Sequence, residues 1–126
     1  MAGIVKTYFD DGKLREIYFE NNGKKEGEYK RYKYNGKLYQ TCNYVAGILH
    51  GEFIQYMYNT DRINSVCSYI DGKLNGKYVS YTHDGQIDMT YNFVDGKICI
   101  RWLSEICIRW LSEICIRWLS NKSIKI

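Results

Sequence analysis

Residues 71–97 read DGKLNGKYVSYTHDGQIDMTYNFVDGK, two runs of strand length closed off by glycine turns. Working outwards from Gly76, the same unit recurs at Gly51, Gly27 and Gly3, at spacings of 25, 24 and 24 residues. Each of these glycines is followed five residues later by a tyrosine: Tyr8, Tyr32, Tyr56 and Tyr81. A fixed period of this length is the mark of a repeat architecture, in which one supersecondary unit is stacked on the next.

Two further turn columns keep the register. One is Gly12, Gly36 and Gly85, in DDGKL, YNGKL and HDGQI, with NTDRI in place of the glycine turn in the third copy; the other is Gly23, Gly47, Gly72 and Gly96. Asp-Gly and Asn-Gly between strand-like runs predict hairpins, because these residues accept the positive φ of a type I′ turn. The third copy lacks the glycine, so a different turn is expected there. Leu14/Leu38/Ile63/Ile87, Tyr18/Cys42/Cys67/Tyr91 and Glu20/Tyr44/Tyr69/Phe93 share one parity, with Glu16, Gln40, Ser65 and Met89 between them. Alternation therefore places them on one face, read as the core. The columns Tyr8/Tyr32/Tyr56/Tyr81 and Val5/Tyr29/Phe53/Tyr78 are three residues apart, which points to opposite faces.

The pattern G-x-aromatic-x-x-Tyr, a GK[L/I] turn and an apolar strand ending in DGK or NGK resembles the variant MORN repeat. It covers about three quarters of the chain. The resemblance implies a mainly β fold: one twisted antiparallel meander of about eight strands, with units at about 3–26, 27–50, 51–75 and 76–97. It also implies a binding scaffold rather than an enzyme, and bacterial members of the family are often labelled antitoxin components.

After Lys97 the pattern breaks. ICIRWLSE stands at 98–105 and 106–113, and ICIRWLS at 114–120, before a tail at 121–126. A strand keeps each repeated residue on one side; a helix aligns Arg101, Glu105, Arg109, Glu113 and Arg117 as i,i+4 neighbours. The absence of Gly, Pro, Asn and Asp over 98–120 leaves no place to turn, and favours a helix of about 35 Å. The expectation is a C-terminal helix packed on one face of the sheet as a cap. The alternatives are a partner or self-association surface, or contact with a membrane surface through Trp102, Trp110, Trp118 and the arginines. Five charges exclude a membrane span.

The charge balance is informative mainly in its distribution. Residues 98–126 carry a net +3, while residues 1–97 hold 13 basic and 12 acidic groups. Nucleic-acid binding is not expected, and Lys24, Lys25, Lys30, Arg31 and Lys33 read as a solvated strand face. Five cysteines and no apolar leader at MAGIVKTYFDDG fit a reduced, cytoplasmic protein. Cys42 and Cys67 occupy equivalent positions two strands apart, about 9.6 Å, which is beyond disulfide reach. His50 and His83 flank turns, no Cys/His spacing suits a metal, and no catalytic or cofactor motif occurs. Asp10, Asp11, Asp61, Asp84 and Asp95 sit at turns, where Asp bonds its own backbone. The interaction surface is assigned to Tyr29, Phe53, Tyr78, Trp102, Trp110 and Trp118, with a protein partner, a membrane surface or a second copy of the chain as occupants and no cofactor.

Overall fold

The computed structural model describes residues 2–99. Among them there is no helix, only strands and turns. The strands are β1 (Ala2–Tyr8), β2 (Leu14–Asn21), β3 (Lys24–Tyr32), β4 (Leu38–Val45), β5 (Ile48–Leu49), β6 (Gly51–Tyr56), β7 (Ile63–Ile70), β8 (Lys73–Leu74), β9 (Gly76–Tyr81), β10 (Ile87–Val94) and β11 (Lys97–Cys99). They form one sheet in the order β1-β2-β3-β4-β6-β7-β9-β10-β11, with β5 beside β4 and β8 beside β7; these pairings are all antiparallel. The expected meander is therefore present. Ile98 and Cys99 belong to strand β11, hydrogen-bonded to β10, so the hairpin pattern runs two residues into the segment expected as helix. The remainder of that helix, the tail and Trp102, Trp110 and Trp118 lie outside the described residues.

Two kinds of turn alternate along the meander. Asn22-Gly23, Ala46-Gly47, Asp71-Gly72 and Asp95-Gly96 have positive φ at both central residues, the geometry of type I′ turns. At Gly12, Gly36 and Gly85 only the glycine has positive φ, and the preceding Asp11, Asn35 and Asp84 do not share it. Phe9 N–H donates to Lys13 O and Gly12 N–H to Phe9 O. The same pair of bonds recurs at Lys33–Lys37 and Thr82–Gln86. That is a type I turn completed by a left-handed glycine, not the type I′ turn expected for DDGK, YNGK and HDGQ; the extra residue in each loop makes the difference.

The type I′ turns also stack on one another. Gly47, Gly72 and Gly96 donate their N–H groups to the carbonyls of Lys25, Leu49 and Leu74, one unit earlier. A Cβ on Gly72 would lie 3.2 Å from Ile48 Cγ2, so this column is glycine both for its φ and for the closeness of the preceding turn.

Each hairpin carries a bulge near its first turn. The register steps from Thr7↔Glu16 to Tyr8↔Leu14, and likewise in the later units, leaving Arg15, Tyr39, Asn64 and Asp88 as extra residues. Simple parity stops at the bulge. Leu14, Leu38, Ile63 and Ile87 stand opposite Tyr8, Tyr32, Tyr56 and Tyr81, and do not extend the Cys42 face as expected; Ile87 is 63% exposed.

Candidate interaction surfaces

One face is built from a continuous cross-strand row. Val5, Tyr18, Tyr29 and Cys42 are successive partners, and Phe53↔Cys67 and Tyr78↔Tyr91 continue it. The neighbouring row contains Lys25, Tyr44, Leu49, Tyr69, Leu74, Phe93 and Ile98, paired as Tyr44↔Leu49, Tyr69↔Leu74 and Phe93↔Ile98. Ring centroids lie 5.7 Å apart for Tyr18–Tyr29, 5.6 Å for Phe53–Tyr69 and 6.3 Å for Tyr78–Phe93. These are the tilted or edge-on contacts that aromatic quadrupoles prefer.

Of the sheet residues assigned to the interaction surface, Tyr29 is 5% exposed and serves as core. Phe53 and Tyr78 are half-buried on the same face. Tyr29 fills because it has neighbours on both sides: Tyr18 and Tyr44 flank its ring, and its hydroxyl donates to Glu16. Burial would raise the Glu16 carboxyl, but the hydrogen bonds from Tyr29 and Thr7, with the charges of Arg15 and Lys25, hold it below the usual glutamate range. Burial first, and then Glu16, push the Tyr29 hydroxyl well above the ordinary tyrosine value. The Cys42 and Cys67 thiols are free, buried, and raised by that burial.

Two members of the basic run are not solvated as expected. The Lys25 ammonium lies 5.1 Å from the ring centroids of Tyr18 and Tyr29 and 5.3 Å from that of Tyr44. Three faces at this distance hold the cation by their quadrupoles. In later units Leu49, Leu74 and Ile98 take the equivalent place. Lys33 is 2% exposed, and its ammonium donates to the carbonyls of Met57 (2.7 Å), Tyr58 (3.2 Å) and Thr60 (2.8 Å). An ammonium has three donors, and here each is matched. Sequence reasoning missed both, because a lysine on a strand looks the same whether its head meets water, rings or a loop.

A cleft of about 500 Å³ lies between the first turns of the third and fourth units. It is lined by Tyr39, Asn64 and Asp88, the bulge residues of units two to four, together with Tyr56 and Tyr81. Tyr56 and Tyr81 lie three residues along the same strands from Phe53 and Tyr78, and the extra bulge residues lie on the partner strands, so alternation puts the two columns on opposite faces. The loop 57–62 forms one wall. Gly51 and Gly76 are 25 residues apart instead of 24, and the added residue is here: Met57 N–H reaches Arg62 O across one more residue than the glycine turns contain.

The family model described as MORN repeat variant matches residues 1–21 and 25–46. No curated protein matches the chain. A crystal structure of accessory secretory protein 1,2 and 3 in Streptococcus pneumoniae is similar at a TM-score of 0.42 and 14% identity, over 86% of this chain and 20% of that chain, so this chain spans about a fifth of its length. Two matches in consecutive hairpins show that residues 1–46 are similar to the MORN repeat variant, and the same turns and pairings are carried on through the third and fourth units.

Proposed function

We propose that this chain is a non-catalytic scaffold that holds a protein partner against its aromatic face. The observation that carries the reading is the thinness of the sheet. Among the described residues only Tyr29, Cys42, Met57 and Cys67 are buried apolar side chains, while Phe53, Tyr69, Tyr78, Tyr91 and Phe93 form two adjacent half-buried aromatic rows along units three and four. A single layer covers neither face by itself, and tyrosine-rich rows are suited to protein contacts because each ring gives apolar area and a hydroxyl at low conformational cost. The absence of a catalytic motif and the binding role that the MORN resemblance implies support the same reading. Nothing in either surface points to an antitoxin role.

A photo-crosslinking side chain placed at Phe53, Tyr78 or Tyr91 in the full chain, in the cells that make it, tests the proposal against the same group at Ile70 or Lys77, which have the opposite parity. A discrete protein adduct formed from the first three positions alone is the expected result. Equal adducts from both faces, or none from either, would overturn it.

A further inference from the structure

The geometry points to a second site: we infer that the cleft between the third and fourth units receives an arginine side chain of a bound polypeptide. Its walls are preorganised. Lys33 fixes the loop through three carbonyls, Arg62 N–H donates to Thr60 Oγ1, and Lys37 pairs with Asp61 at 3.0 Å. The guanidinium of Arg62 lies over Gly85, where a Cβ would approach it to 2.5 Å, and so links the loop to the fourth unit's turn.

The lining chemistry selects the ligand. Tyr39, Tyr56, Tyr58 and Tyr81 supply rings, with Tyr39 and Tyr58 edge-on at 5.6 Å. Asp88 is exposed, is the one carboxylate of the lining, and has no ion-pair partner among the described residues. Asn59 and Asn64 add amide oxygens, and no lysine or arginine lines the space. A planar cation with five N–H donors satisfies this set at once: it stacks on a ring, pairs with the carboxylate through two parallel bonds and reaches the amides. Lysine offers a point charge and no plane to stack. A neutral sugar leaves the carboxylate unpaired in charge. The volume exceeds one side chain, which leaves room for residues beside the arginine.

The site is repeat-made. Bulges re-aim side chains, and the same bulge position yields Tyr39, Asn64 and Asp88 in turn, so the fold offers the position in every unit and the sequence fills it differently.

The test is a titration of the full chain, followed by amide NMR, with acetyl-Gly-Arg-Gly-amide, its lysine counterpart and methyl glucoside. Saturable shifts at Asn59, Asn64, Tyr81 and Asp88 with the arginine peptide are expected, with several-fold weaker binding of lysine and none of the glycoside. Asp88→Asn on the exposed bulge should weaken binding about tenfold, and Tyr81→Ala by a similar factor. Stronger peptide binding after replacement of Arg101, Arg109 and Arg117 by Gln also supports a guanidinium site. No saturable binding by either chain, an unaffected Asp88→Asn variant, or glycoside binding at equal strength would overturn it.

Discussion

Units two and three make the same first turn by different means. In unit two, Lys33–Lys37 closes through Gly36 at φ +88°, which no neighbour has to enforce. In unit three, Met57–Arg62 has no residue at positive φ, is one residue longer, and is closed around the ammonium of Lys33, which belongs to the unit before. A conformational preference written locally has been exchanged for a tertiary contact written 24 residues away. The first arrangement needs nothing outside its own hairpin. The second exists only when the units are stacked, which makes the third loop, and the cleft beside it, a reporter of stacking.

The largest effect should come from the tertiary version. Lys33→Met leaves three carbonyls of the loop without their donor, and should cost about 2–3 kcal/mol, lowering Tm by about 10 °C, with lost amide protection concentrated at residues 57–62. A smaller effect is expected from the local version: Gly72→Ala places a side chain at φ +83° and 3.2 Å from Ile48, for about 1–2 kcal/mol. Gly23→Ala, with φ +80° and nothing within 4 Å, should cost about 1 kcal/mol. Equal losses for these two glycines in chemical denaturation would show that turn stacking adds nothing to backbone conformation.

Lys25 extends the comparison to the aromatic face. Its equivalents are Leu49, Leu74 and Ile98, so Lys25→Leu should change stability by less than about 1 kcal/mol, because packing area replaces the cation–ring attraction. A loss of several kcal/mol would mean that the three-tyrosine cage organises the first two units. The smallest effect concerns pH. The folded Glu16 carboxyl titrates below its unfolded value, so its contribution is complete above the unfolded value and is lost as pH falls through the folded one. Acid unfolding of Glu16→Gln should accordingly show a shallower decline than the natural chain over that acidic window. Identical profiles would remove the Tyr29–Glu16 bond from the account.

The comparison also explains what was legible in the sequence. The 24-residue glycine period gave the hairpins and their number, since positive φ is a property of the residue itself. Parity gave the aromatic face as far as the bulges, and failed at Leu14, Leu38, Ile63 and Ile87 because an extra residue resets alternation without changing composition. The missing glycine in NTDRI signalled an unusual turn, but its partner, Lys33, was hidden inside a run that looks solvated. Tyr29 reads as part of the interaction surface because its burial depends on Tyr18 and Tyr44, rings that come from different hairpins. The cleft combines all of these: three bulges whose residues differ from unit to unit, one added loop residue and one buried lysine.

The most direct measurement is a thermal double-mutant cycle that combines Lys33→Met with replacement of Tyr58–Arg62 by the Tyr-Asn-Gly-Lys of unit two. If the ammonium stands in for a glycine turn, Lys33→Met should cost about 2–3 kcal/mol beside the natural loop and less than about 1 kcal/mol beside the glycine turn. The same loss in both backgrounds would contradict the account, because Lys33 would then be stabilising something other than the third loop.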